Sequence, residues 1–252
     1  MSGRRKFFKD FSRGWNAFEL TMLIIGVVVP IVLGIVFNSS PLEIVTSILF
    51  ITAMLLIAKA KIAGFLLALV AYALYVVVSF QKGLFGEVIT IGLFSIPITI
   101  WTIFSWLRKC KECKDKDKKS TVEIVGIRPK ELTLLVLSQI AMGVGYFFLL
   151  RALGTNFLII STAALAVNVM GDYLCARRNV LGPFAYVLYD ILTITLWLMV
   201  FINGGTGAIV ILVMQIVTFV NDTYGIVNWI KLVKKNKSTE KESNPIEMPI
   251  HS

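Results

Sequence analysis

The sequence is poor in the residues from which most catalytic and metal sites are built. Its 252 residues include one histidine and three cysteines, and only 16% are charged. The histidine, His251, lies one residue from the end, which argues against an imidazole base or ligand within the folded chain. Three cysteines provide no disulfide framework. Cys110 and Cys113 form a lone C-x-x-C, two ligands short of a structural zinc site, so we expect no metal and no cofactor.

Apolar residues are abundant instead. They make up 57% of the chain and mean hydropathy is +0.81, whereas soluble domains are about 45–50% apolar and about 25% charged. Crossing a bilayer takes about 20 apolar residues as a helix, and these runs lack the alternation of a membrane β-barrel. The sequence predicts an all-α membrane protein. Its eight transmembrane helices are expected at about 18–37, 42–58, 62–80, 86–107, 131–150, 157–176, 182–202 and 206–230.

The positive charge, net +10, is distributed unevenly among the loops. Lys and Arg concentrate before helix 1, after helices 2, 4 and 6, and at the start of the tail, whereas every other loop has at most one. Cytoplasmic loops collect basic residues, so this alternation predicts both termini in the cytoplasm. The alternation also accounts for the net positive charge, which serves membrane orientation and contact with membrane lipid, so no binding to nucleic acid is expected. We expect a multi-pass membrane protein with this orientation.

Two parts of the chain resemble each other. Residues 58–64 and 176–182 both run from an alanine through a basic residue to a glycine, and helices 4 and 8 end in similar segments at Trp106 and Trp229. Convergent loop composition is the alternative explanation. Helices 2–4 and 6–8 are therefore predicted to form two parallel three-helix repeats in a 1+3+1+3 layout, and transporters built this way bind substrate between the halves.

The predicted segments are the basic N-terminus (1–17), an extra helix (18–40), the first repeat (41–107), a basic loop (108–130), a linker helix (131–153), the second repeat (154–232) and a disordered tail (233–252). Trp106 and Trp229 are interpreted as anchors at the membrane interface.

Polar side chains are expensive within a bilayer and usually face a cavity or a partner. Aromatic rings interleaved with acids and amides suit a flat ring that bears hydroxyls or a positive charge. Plain hydrogen bonding between helices is the alternative, and pairing of Asp172 with Arg177 or Arg178 also stays open. The candidate substrate-binding residues are Tyr72, Trp101, Asn168, Tyr186, Asp190, Thr193, Trp197, Gln215, Asn221 and Asp222.

With these features, residues 42–232 resemble the Pnu family of vitamin transporters. The similarity rests on the helix layout and on the helix 8 segment from Gln215 through Asn221 to Trp229. It implies a SWEET-like fold and facilitated diffusion of nicotinamide riboside or a closely similar vitamin or nucleoside. It also implies a separate cytoplasmic kinase that phosphorylates the imported substrate. A homo-oligomer is left open.

Helix 7 departs from the family pattern. Nicotinamide riboside members carry W-x-x-W-x-x-x-N near its start, whereas this chain has Pro183, Tyr186 and Asp190 at those positions. The change of an amide to an acid bears on the substrate, so thiamine, riboflavin and deoxynucleosides stay open beside nicotinamide riboside.

Two functions other than transport are alternatives. An intramembrane aspartyl protease would use Asp172 and Asp190, but position 169 is valine rather than glycine and the two motifs stand in the wrong order. A receptor or scaffold without transport is the second. No P-loop for ATP-driven pumping is present, and we predict a protein that is not an enzyme.

Overall fold

The computed structural model describes residues 15–114, 129–205 and 207–243, with side chains for all of these except 109–114 and 235–243. Most of the basic N-terminus, much of the basic loop and the side chains of Cys110 and Cys113 therefore lie outside the described residues. Eight long helices, numbered α1 to α8 in chain order, span this part of the chain. They are Ala17–Val36, Pro41–Ala58, Ile62–Gln81, a composite helix (Phe85–Ile89, Thr90–Ser95 and Ile96–Lys114), Pro129–Ala152, Leu158–Ala176, Gly182–Ile202 and Ala208–Ser243.

All eight helices are long and apolar enough to cross a membrane, which confirms the predicted all-α, eight-helix membrane fold. The last one differs from its predicted bounds, because α8 continues to Ser243 through residues that were expected to be disordered. The segment after Lys231 contains neither proline nor glycine before Pro245. Nothing in it therefore interrupts the helix that enters from the membrane.

The first two helices begin with matching caps. Asn16 and Glu19 form a capping box at the start of α1, and Ser40 and Glu43 form another at the start of α2. In each box the cap side chain and the acid satisfy backbone N–H groups that the helix leaves unpaired. Both acids are almost fully buried and thus also serve contacts outside their own helix.

Six of the helices form a closed ring. In the order α2, α3, α4, α6, α7 and α8, each packs against the next, and α8 returns to α2. Helix α1 lies outside the ring against α2 and α8, and α5 lies outside against α6. We call the end where α1 begins, which the charge pattern predicts to be cytoplasmic, the inner end. The ring places the polar faces of six helices around one interior.

Helix α4 contains a π-helical segment, Thr90–Ser95, just before Pro97. A proline ring clashes with the carbonyl four residues earlier in a regular α-helix, and the wider π turn relieves that clash. One extra residue also shifts the phase of the helix by about 100°. Residues after Ser95 consequently face a different direction from the one that regular spacing would give.

The two loops that motivated the predicted repeat adopt the same turn. Ala60 and Arg178, which occupy matching positions, both have left-handed backbones with φ of 52° and 58°. The next residue in each loop, Lys61 or Asn179, donates its N–H to a carbonyl five residues earlier. These matched turns agree with a duplication, while the repeat over whole helices stays a prediction.

The two tryptophans predicted as interface anchors are instead packed inside the protein. Trp106 and Trp229 are both fully buried, with ring centroids 6.2 Å apart, and Phe65 packs against Trp106 at 4.9 Å. Trp106 Nε1 also donates to the carbonyl of Cys175. Because α3, α4 and α8 each contribute one ring, the cluster closes the inner end of the ring of helices. The anchor prediction was wrong because the pairing partner lies on a distant helix.

Two ion pairs at the inner end attach the outer helices. Glu19 of α1 lies 2.6 Å from Lys59, and both side chains are almost fully buried. Glu19 also accepts a hydrogen bond from Tyr224 of α8. Glu131 of α5 pairs with Arg177 at 3.1 Å, but this pair is substantially exposed.

These two pairs should differ strongly in their contribution to stability. Glu19→Gln keeps the capping geometry but leaves Lys59 as a buried charge without its anion, which costs about 3–5 kcal/mol. Glu131→Gln breaks an exposed pair and should cost at most about 1 kcal/mol. Thermal unfolding of the purified protein in detergent measures both. Equal shifts in Tm for the two variants would contradict a larger contribution of the buried Glu19–Lys59 ion pair.

Candidate substrate-binding site

A hydrogen-bonded cluster centred on Asp172 joins three helices of the ring. The Ser95 hydroxyl of α4 lies 2.5 Å from Asp172 Oδ2 and 2.8 Å from Asn168 Oδ1, and it donates to one of them at a time. Tyr186 of α7 donates its phenol to Asp172 Oδ1 at 2.8 Å. Asp172 thus bonds within the ring, whereas Arg177 pairs with Glu131. Of the two arginines considered as partners of Asp172, Arg177 thus pairs elsewhere, while a pair with Arg178 stays a prediction.

A glycine makes this approach of α6 and α7 feasible. A Cβ at Gly171 would lie 2.9 Å from the Tyr186 ring, closer than carbon atoms pack. The absence of a side chain therefore lets the tyrosine lie flat against α6 and reach Asp172.

The second polar group is a pair of carboxyls on α7 and α8. Asp190 and Asp222 lie within hydrogen-bonding reach of each other, and Asn221 donates its amide to Asp222 at 3.1 Å. Asp190 Oδ2 and Asn221 Oδ1 are buried without a hydrogen-bond partner among the described residues. Tyr72 of α3 lies within electrostatic range of Asp190, Asp222 and Asp172. Acids from one side of the ring thus face an aromatic side chain from the other.

A third group lies nearer the outer end and is centred on Glu87. Its Oε2 accepts hydrogen bonds from Tyr75 at 3.1 Å and from Tyr189 at 2.9 Å. Tyr75 in turn accepts from Trp197 Nε1 at 2.8 Å and from Gln215 at 3.3 Å. At a rise of about 1.5 Å per residue, Gln215 lies about 10 Å closer to the outer end of α8 than Asp222 does. The interior therefore contains two polar layers, which we call the outer layer (Glu87, Tyr75, Tyr189, Trp197 and Gln215) and the inner layer (Asp172, Asp190, Asn221, Asp222 and Tyr186).

Both layers are acidic and neither contains a basic residue. The stretches 41–58, 62–81, 85–107, 158–176, 182–202 and 208–230, which form the ring within the membrane, have no Lys, Arg or His. Of the basic residues at their ends, Lys59 and Lys82 pair with Glu19 and Glu43. The four interior acids (Glu87, Asp172, Asp190 and Asp222) are thus not paired with a fixed positive charge of these stretches.

Six of the ten predicted site residues lie in these layers, and two border the inner one, Asn168 through Ser95 and Tyr72 within electrostatic range of its acids. The other two, Trp101 and Thr193, do not join them. Trp101 is 46% exposed and packs against Tyr173 on the outside of the ring. The π segment explains this position, since it turns the later part of α4 away from the face that carries Glu87. Thr193 lies inside, but its hydroxyl bonds to the carbonyls of Tyr189 and Asp190 on its own helix.

Several residues of the polar interior were not among the predicted candidates. They are Ser95, Tyr75, Glu87, Asp172 and Tyr189. Glu87 carried the clearest signal, as an acid within an apolar run, but its position near the start of helix 4 also suited a helix cap. Ser95 had no signal of its own, because serine is common in membrane helices and the π segment that aims it was not anticipated.

A groove of about 460 Å³ lies elsewhere, between α5 and α6. Its lining is almost entirely apolar, with Gln139 as its buried polar residue, and it contains none of the four interior acids. It opens on the outside of the ring, where lipid would surround the protein, and so it is separate from the polar interior.

Comparison with known proteins places this architecture in a family. The sequence model of the family described as nicotinamide mononucleotide transporter matches residues 40–231. The chain belongs to this transporter family. The resemblance to Pnu transporters is thereby confirmed, and the match begins after α1, which is the predicted extra helix.

Two transporters align with this chain over most of their length. The nicotinamide riboside transporter PnuC of Neisseria mucosa is 25% identical over 228 residues, which are 90% of this chain and 86% of that protein. PnuC of Haemophilus influenzae is 24% identical over 228 residues, which are 90% of this chain and 96% of that protein. The crystal structure of the vitamin B3 transporter PnuC matches with a TM-score of 0.77 at 23% identity, over 88% of this chain and 94% of that one. The last likeness shows a shared fold.

Proposed function

We propose that this protein is a facilitative transporter that carries nicotinamide riboside across the bacterial inner membrane. The observation that carries the proposal is the set of four acids inside the ring of six helices, three of them buried (Glu87, Asp172 and Asp190) and Asp222 half-buried, without a basic residue among them. Nicotinamide riboside consists of a flat pyridinium cation and a ribose with free hydroxyls. The cation suits carboxylates and aromatic faces, and the hydroxyls suit Asp, Asn and Tyr side chains.

The same acids argue against a phosphorylated substrate. Nicotinamide mononucleotide carries a phosphate, and proteins bind phosphate through Arg, Lys or clustered backbone N–H groups. Carboxylates in a low-dielectric interior would repel it. Within the family, the acidic layers therefore favour the riboside over its phosphate ester.

Hypothesised roles follow from the two layers. Tyr186 and Trp197 wall the ring of the substrate, and Asp190 binds either its cationic ring or its sugar hydroxyls. Gln215, Asn221 and Asp222 complete the polar lining, with Tyr72 opposite. Substrate would leave the inner end when the cluster of Phe65, Trp106 and Trp229 separates, because these rings close that end.

Net import would depend on what happens after release. A facilitative transporter only equilibrates its substrate, so accumulation needs a separate cytoplasmic kinase that converts it to a form the acidic interior rejects. This dependence agrees with the absence of a P-loop in the sequence.

Purified protein in liposomes should take up radiolabelled nicotinamide riboside with saturation. With the membrane potential clamped at zero, the label should stop at equal concentrations inside and outside, with or without a sodium or proton gradient. Excess unlabelled riboside should compete, whereas nicotinamide mononucleotide should not. Failure to bind or move nicotinamide riboside, in protein that is folded by size exclusion, would refute the proposed substrate.

The carboxyl of Asp190 should contribute measurably to substrate affinity. Asp190→Asn keeps the shape of the side chain but replaces the carboxyl by an amide, and losing a contact that needs a carboxylate should lower the affinity about tenfold. Isothermal titration of nicotinamide riboside into the purified variant measures this loss.

Thr195→Val provides the matched control, since Thr195 is an exposed residue of the same helix that bonds to its own backbone. Its affinity should stay within about twofold of the wild type. An Asp190→Asn protein with unchanged affinity would remove Asp190 from the site.

A further inference from the structure

Glu87 is the most deeply buried acid of the interior, and only half of its carboxylate is satisfied. It has no exposed surface. Oε2 receives the two tyrosine hydrogen bonds, from Tyr75 and Tyr189, whereas Oε1 has no partner among the described residues. The tyrosines come from α3 and α7, on opposite sides of the ring, so they fix the position of the carboxyl and leave one oxygen available.

The charge of this carboxylate needs a partner, and the described part of the chain places none beside it. An acid within a membrane is costly unless it is paired. Lys82, the basic residue that precedes α4, lies 2.9 Å from Glu43. The counter-charge for Glu87 must therefore come from a cation that enters the interior, either an organic cation or a proton.

The aromatic rings that pack on Tyr75, one of the two tyrosines bonded to Glu87, favour an organic cation. The Tyr75 ring lies 5.9 Å from Trp197 and 5.6 Å from Phe50 by centroid distance. A carboxylate framed by aromatic faces is a common way to bind a flat or quaternary cation, because the rings and the acid attract the same charge. A proton would need no such rings.

We infer that Glu87 recognises the positive charge of the substrate's ring, from a position in the outer layer beside Tyr75 and Tyr189. The inference rests on the proposed function and adds a specificity residue to it. Oε1 faces the cationic ring, and the Tyr75, Trp197 and Phe50 rings hold it. The outer layer thus selects the charged ring before the substrate reaches the inner layer.

The test compares two substrates that differ in ring charge but share the ribose. Nicotinamide riboside has a cationic ring, and its reduced dihydropyridine form has a neutral one of nearly the same shape. Affinities of both are measured for wild type, Glu87→Gln and Glu131→Gln, the last of which removes an equal charge at the inner end of α5. The ratio of the two affinities should fall about tenfold in Glu87→Gln, as expected for one charge-assisted contact, and stay unchanged in Glu131→Gln.

Each outcome discriminates. An unchanged ratio in Glu87→Gln overturns the inference, whether both affinities persist or both fall together as for a merely structural residue. An unchanged ratio with loss of the pH dependence of uptake assigns Glu87 to a proton instead. Wild type that takes up no nicotinamide riboside refutes the proposed function itself, whereas normal wild-type uptake with an unchanged ratio refutes only the role of Glu87.

A second measurement applies if Glu87→Gln does not fold. Wild-type protein is treated with a hydrophobic carbodiimide, and modification of Glu87 is quantified by peptide mass spectrometry. Saturating nicotinamide riboside should protect Glu87 at least about fivefold more than the reduced form does, as a charge-assisted contact requires. Equal modification with and without the riboside overturns the inference.

Discussion

The cost of placing carboxyl groups inside a membrane governs this structure. Glu87, Asp172, Asp190 and Asp222 all point into the ring of six helices, while every basic residue of those helices lies at their ends. Tyrosine, serine and asparagine donors satisfy part of Glu87, Asp172 and Asp222, and some oxygens, Asp190 Oδ2 among them, stay without a partner in the described structure. A transporter for a cation can use this imbalance, because the passing substrate supplies the missing charge and is bound for that reason.

Other contacts close this interior at its inner end. Phe65, Trp106 and Trp229 fill the inner end, and the buried Glu19–Lys59 pair joins α1 to the loop after α2, with Tyr224 of α8 as a further donor. These contacts cross between the helices of the first and second predicted repeats. Opening toward the inner side must therefore separate the packed aromatic rings as well as rearrange the contacts of Glu19.

The helices and much of the site could be predicted because both follow from hydropathy along the chain. Asp190, Asn221 and Asp222 stood out as polar groups in apolar helices, and the structure brings them together. The predictions that were wrong depended on the direction in which a helix turns its side chains and on contacts between distant helices. The π segment before Pro97 rotated Trp101 out of the ring, and Trp106 and Trp229 found each other across helices distant in sequence. The position of Glu87 in the interior is evident only from its hydrogen bonds to Tyr75 and Tyr189, which lie on two other helices.

The claim that the substrate supplies the missing positive charge is tested most directly by measuring current. Proteoliposomes adsorbed on a solid-supported membrane should give a transient current of inward positive charge when nicotinamide riboside is added. The neutral reduced form should give none at a comparable flux. Uptake of the cationic riboside without any current would contradict the account, because another ion would then be balancing the acids of the interior.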